Sequence, residues 1–166
     1  MENAPNKCRI AFRDATVTRQ HGATIYTVDA SVFLNAFNPY EEGYEQSHHL
    51  LSEMQRQAIP VVVPSLMLPE VAAAVVRARD DADLARRFAL TISRLPHLTL
   101  VPLDSALAER AADVAAQHRL WGSDAVYAAV SLQYGSVLVT LDKEQQRRMT
   151  NVIAVHQPVD VVLGDQ

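Results

Sequence analysis

Residues 24–37 read TIYTVDASVFLNAF. Ile25 to Val28 is β-branched and aromatic, which suits a strand in the middle of a sheet. From Ser31 to Phe37 the apolar residues shift to helical spacing at Val32, Phe33 and Ala36, and Asp29 stands at the join. A buried strand that runs into an aspartate and turns at once into a helix is the unit around which the rest of the chain is ordered.

The same strand-to-helix change recurs downstream. Ile59 to Val63 is wholly apolar between Pro60 and Pro64 and reads as a strand covered on both faces. Ser65 is then placed to cap a helix from Leu66 to Arg79, with Pro69 tolerated in the first turn and Glu70 in its opening turns. The run VAAAVV that follows is small and apolar nearly all round, which predicts burial on more than one side. A helix over Asp81 to Arg94, a strand over Leu98 to Val101 and a helix over Asp104 to His118 come next, the last with Leu107, Ala111 and Val114 on one face. The loop RLWG leads to Ser123 and Asp124 and an apolar helix closed by Gly135. Ser136 to Leu141 reads as a strand ending in Asp142, Lys143 to Met149 as a short charged helix, and Val152 to Val155 as a last strand. Upstream, Glu41 to Gln57 is a more polar helix with Leu50, Leu51 and Met54 inward. Its adjacent His48 and His49 point about 100° apart and make a poor metal clamp.

Alternating strands and helices imply a parallel α/β sheet covered on both faces. Ligands in such sheets gather at the carboxyl ends of the strands, where strand order switches. Asp29 and Asp142 both fall at carboxyl ends, and a helix starting from that edge brings Glu70 there too. The boundaries expected are an extension over 1–23, one domain over 24–156 and a tail over 157–166. Cys8 to Val17 is at best an edge strand.

The 166 residues, 49% of them hydrophobic, suit one domain with a real core. A net charge of −4 and a pI near 5.8 exclude a protein that coats polyanions through a basic excess. The single Cys8 excludes an internal disulfide framework and reads as an inert thiol in a reducing compartment. No apolar run approaches the ~20 residues of a membrane helix, and the N-terminus has no signal-peptide core, so a cytoplasmic protein is expected.

Each acid has an ordinary reading, since aspartate caps helices and gains from the helix dipole. Glu70 fits that reading least, because glutamate is not a favoured cap. Taken jointly, carboxylates crowded on one edge repel unless a cation lies between them, and hard oxygen donors suit Mg²⁺ or Mn²⁺. Residue types and spacing alone carry the reading as far as a metal-binding α/β protein.

Three blocks carry a resemblance: TIYTVDASVFLNAF, VVPSLMLPEVAAAVVRAR and LWGSDAVYAAVSLQYGSVLVTLDKEQ. Together they resemble the motifs of PIN-domain nucleases, especially the VapC-like toxins of toxin–antitoxin pairs, over about Thr24 to Val155. The last block, an aspartate opening an Ala-rich helix, then a glycine, an apolar strand and Thr-x-Asp, is the most specific. The resemblance implies a PIN-like three-layer α/β/α sandwich with a central, mainly parallel sheet. It implies Asp29, Glu70, Asp124 and Asp142 as metal ligands and catalytic acids for hydrolysis of RNA phosphodiesters with Mg²⁺ or Mn²⁺, and Thr140 as support behind them. It further implies a homodimer and a small antitoxin partner. The long lead before Asp29 departs from such toxins, which often begin just ahead of their first strand.

Arg77, Arg79, Arg86, Arg87, Arg147 and Arg148 are candidates for gripping the RNA backbone, each against the plainer reading of a solvated charge. His118 and Trp121, read as loop residues ahead of Asp124, could stack on a base, although packing at the core or rim is the stronger expectation for Trp121. The alternatives are a PIN ribonuclease of RNA processing without an antitoxin and a non-catalytic PIN module that only binds a partner. A phosphoacceptor signalling domain fits poorly, because Asp29 has no acid beside it and Lys143 lies beyond the last acid.

Overall fold

A computed structural model describes residues 24–163. Five short strands form one sheet: β1 (Tyr26–Val28), β2 (Val61–Pro64), β3 (Leu98–Val101), β4 (Val137–Val139) and β5 (Val155–His156). Their order is β3-β2-β1-β4-β5 and every pairing is parallel. β1 is therefore the strand at which the order reverses, with β2 on one side and β4 on the other. A crevice at the carboxyl ends of β1 and β4 is the expected result.

Seven helices cover the sheet among the described residues: α1 (Ala30–Asn35), α2 (Tyr44–Arg56), α3 (Met67–Arg79), α4 (Ala82–Ser93), α5 (Ser105–His118), α6 (Gly122–Tyr134) and α7 (Lys143–Met149). Side chains alternate across β2, so Val61 and Val63 join one core with Phe33, Leu50, Met54, Val71 and Ile92, while Val62 joins a second with Leu107, Ala111, Ala125, Ala129 and Met149. Two cores on opposite faces of one sheet make the three-layer α/β/α sandwich. All of β1 and β2 is buried, which explains why both runs are apolar but for Thr27. Behind β1, the hydroxyls of Thr27 and Ser136 share a buried hydrogen bond of 2.6 Å.

The helix starts follow the sequence closely. Asp81 and Asp104 cap α4 and α5 by accepting the amides of Leu84 and Leu107, each at 2.8 Å. Gly135 closes α6 at φ +59°, a left-handed conformation that glycine adopts without strain.

Several expectations are corrected. Ser65 does not cap α3, which begins behind Leu66 without a side-chain cap. Instead the Ser65 amide donates to the Val101 carbonyl at 2.8 Å and its hydroxyl accepts from the Leu103 amide at 3.2 Å, so it ties the ends of β2 and β3 together. Only Val71 of the VAAAVV run is fully buried, the other five being half-buried. α2 starts at Tyr44, after a turn through Glu41–Gly43, because Asn35 holds that turn through the Glu42 carbonyl at 2.9 Å. The last strand is Val155–His156, while Val152 and Ile153 complete the turn after α7 by donating to the Met149 carbonyl. A 3₁₀ turn, Pro158–Asp160, follows it. Cys8 and the suggested Cys8 to Val17 edge strand lie outside the described residues.

Candidate active site

The four acids singled out from the sequence line one cleft, with Ala30, Ser31, Leu34, Leu66, Pro69 and Arg77 among its walls. Asp29 enters it from the end of β1. Its amide donates to the Val139 carbonyl of β4 at 2.9 Å, which fixes it between the two strands at the switch point. One carboxylate oxygen accepts the Ser31 amide at 2.8 Å, so Asp29 also caps α1. Burial raises its pKa, the hydrogen bonds from Ser31 oppose that rise, and the charge on Asp142 adds to it.

Glu70 comes from the first turn of α3, and it has the partner that a half-buried carboxylate needs. The Tyr127 hydroxyl donates to Glu70 Oε2 at 2.8 Å. Tyr127 is buried in α6 and has its own pKa pushed far up, first by burial and then by the charges of Asp29 and Glu70, so it remains a donor. Burial raises the Glu70 pKa, the Tyr127 bond holds it down, Asp29 pushes it up, and a bond from the Ser123 hydroxyl lowers it again. Sequence reading passed over Tyr127 and Ser123. The signal for Tyr127 was its position three residues after Asp124, which puts both on one face of α6.

Asp142 follows β4 and caps α7 by accepting the Gln145 amide at 2.7 Å. Thr140, fully buried, accepts the Asp142 amide on its hydroxyl at 3.0 Å and so fixes the backbone that carries the acid. Ser31 acts similarly from α1, accepting the Leu141 amide at 3.2 Å.

Asp124 differs from the other three. The cap of α6 is Trp121, so Asp124 is not a capping residue, and its carboxylate accepts no hydrogen bond among the described residues. The acid is pinned only through its carbonyl, which accepts from Gln145 Nε2 at 3.1 Å. Burial raises its pKa first, and the charges of Asp142, Asp29 and Glu70 add in that order, to about 6. A half-buried carboxylate that faces three like charges without a donor is costly unless a cation neutralises the group. The donor set, all carboxylate oxygen on anchored helix starts, fits a hard divalent cation. As the side chains stand, no three His, Cys, Asp or Glu among the described residues are drawn tightly enough together to enclose an ion.

The arginines divide. Arg77 lines the acidic cleft. Arg79 and Arg87 face other, more apolar hollows beside Phe37 and Phe88. Arg147 and Arg148 are both bridged to Glu144, the first at 2.8 Å, because they stand three and four residues after it on α7. His118 is the last residue of α5, as the helix expected over Asp104 to His118 has it, and not a loop residue, and Trp121, against expectation, does not pack against the core but is 78% exposed.

An all-parallel α/β/α sandwich with four carboxylates around the strand-order switch defines the class of protein to which this chain is assigned. The PIN-domain family profile matches residues 26–150, and the chain belongs to that family. Solved structures agree in fold. VapBC2 from Rickettsia felis superposes with a TM-score of 0.60 at 14% identity, over 81% of this chain and 98% of that one. Mycobacterium tuberculosis VapC20, a Sarcin-Ricin loop cleaving toxin, gives 0.64 at 17% identity over 74% and 93%. VapBC-1 from nontypeable Haemophilus influenzae gives 0.60 at 12% identity over 82% and 100%. No curated protein matches the sequence. No helix of the described residues is long and apolar enough to cross a membrane.

Proposed function

We propose that the chain is a metal-dependent endoribonuclease of the VapC toxin type, with Asp29, Glu70, Asp124 and Asp142 as its metal-binding and catalytic acids. The observation that carries this reading is the unpartnered Asp124 facing three other carboxylates in one cleft. Mg²⁺ or Mn²⁺, when bound, supplies neutralising charge and electrophilic assistance to phosphodiester hydrolysis. The protein's part is to hold the oxygens in place beforehand. Helix amides fix Asp29 and Asp142, the Tyr127 hydroxyl orients Glu70, and Thr140 steadies the turn that carries Asp142. Arg77 is positioned to meet a phosphate at the cleft wall.

RNA as substrate is supported by the likeness to VapC20, and a small antitoxin partner by the likeness to VapBC assemblies. A homodimer and a cytoplasmic site of action belong to the same reading. The test is to incubate the purified chain with structured RNAs in Mg²⁺, in Mn²⁺ and in chelator, beside Asp29→Asn and Asp124→Asn. Cleavage confined to metal and lost in both variants is expected. Cleavage in chelator, or full activity in both variants, rejects the mechanism. Growth arrest on expression, relieved by a neighbouring small protein, separates a toxin from an RNA-processing enzyme.

A further inference from the structure

Trp121 is the chain's only tryptophan and is 78% exposed. Its indole makes no ring contact or hydrogen bond among the described residues. The position is not loose, however. The Trp121 carbonyl accepts the Ala125 amide at 2.9 Å as the cap of α6, and Leu120 beside it is buried in the second core. An indole held out into water from an anchored backbone leaves a large apolar face uncovered.

The turn it opens leads into the acidic cleft at Asp124. Ser123 is near enough to Glu70 to lower its pKa, Asp124 lines the cleft, and Gln145 ties the Asp124 carbonyl to α7. Trp121, with extended backbone as the N-cap of α6, stands three positions ahead of Asp124, so its Cα is at the mouth of the turn that carries that acid. We infer that Trp121 is a stacking platform for a nucleobase of the strand whose phosphate enters the acidic cleft. The inference rests on the nuclease reading and adds the group that holds the substrate.

Two observations favour a base over a protein partner. The neighbours of Trp121 in the chain are Leu120, which is turned into the second core, and exposed Gly122, with exposed Arg119 one further back, so they add no exposed apolar side chain to the indole. Stacking needs only one aromatic face and is indifferent to sequence. It also meets a need of this chain, since a net charge of −4 gives little general attraction for phosphate and affinity must come from elsewhere.

The lone tryptophan makes the test direct. Asp29→Asn full-length chain in Mg²⁺ is titrated with a short single-stranded RNA, with intrinsic fluorescence as the readout and an abasic strand of equal length as control. Saturable quenching by RNA and none by the abasic strand is expected. By anisotropy of labelled RNA, Trp121→Ala in the same background binds about 5- to 150-fold more weakly, and Trp121→Phe recovers most of the loss. Absence of quenching, or equal binding by Trp121→Ala, overturns the inference. So does emission that changes with protein concentration alone, together with a dimer that Trp121→Ala dissociates in sedimentation, which assigns the indole to a protein contact. Quenching in a chain whose unsubstituted form cuts no RNA leaves stacking standing and removes the nuclease. Metal-dependent cleavage without quenching does the reverse.

Discussion

Replacing Asp124 with asparagine removes one of four mutually repelling charges while keeping the side chain's shape. In the folded chain the Asp124 pKa is raised from 3.8 to about 6 by burial and by Asp142, Asp29 and Glu70. Below pH 3.8 the acid is protonated in both folded and unfolded states and costs nothing. As pH rises towards 6 the unfolded chain ionises first, so stability is lost across that window, and above it the whole penalty remains. A shift of about two pKa units corresponds to about 3 kcal/mol without screening. The group is half-exposed, and solvent screening reduces that to about 1–2 kcal/mol. Asparagine carries no charge at any of these pH values. In chelator at pH 7.5, Asp124→Asn should therefore melt about 3–6 °C above the unsubstituted chain, and the gain should vanish near pH 4. Saturating Mg²⁺ should narrow or reverse the order, because binding to the native state stabilises it by about 2.7 kcal/mol at a hundred times Kd. Differential scanning calorimetry at the two pH values, with and without metal, measures all of this. A variant less stable than the unsubstituted chain in chelator at pH 7.5, or a gain unchanged at pH 4, refutes the reasoning.

Tyr127→Phe deletes the donor to Glu70 in a buried setting and should cost about 1–3 kcal/mol in urea melts, with a fall in cleavage rate larger than any rise in KM. Thr140→Val leaves the Asp142 amide without its acceptor and should cost about 1–3 kcal/mol, read by thermal melting, again with reduced cleavage. Arg77→Ala should leave the melting temperature unchanged, weaken RNA binding and lower the slope of log affinity against log salt by about 1 in fluorescence anisotropy. Mn²⁺ affinity should fall as pH drops through about 6, where protons compete for Asp124, as calorimetric titrations across that range would record.

Much of this was legible in the sequence, for reasons that differ by residue. Asp29 and Asp142 stand where a β-rich run gives way to helical spacing, so parallel topology alone puts both at one edge. The capping reading and the cleft reading are both true of them, since one carboxylate can accept a helix amide and still face the crevice. For Asp124 the capping reading, which it shared with Asp29 and Asp142, does not hold. Its own cap is Trp121, and only the three-dimensional start of α6 reveals that Asp124 has no amide to accept.

The misreadings have physical causes too. Ser65 had the chemistry of a cap, but the β3 end approaches closely enough to take its hydroxyl, a contact across 38 residues that no local pattern contains. Arg147 and Arg148 looked available for phosphate, yet Glu144 lies at the helical spacing that captures both. Periodicity identifies an apolar face but not what covers it, and for that reason the VAAAVV run and Trp121 were assigned more burial than they have.

Titration calorimetry with Mn²⁺ tests the four-carboxylate site most directly. The unsubstituted chain should bind the cation, and Asp29→Asn, Glu70→Gln, Asp124→Asn and Asp142→Asn should each weaken that binding by about tenfold or more. Five superimposable isotherms, or no heat from the unsubstituted chain, would contradict a shared metal site.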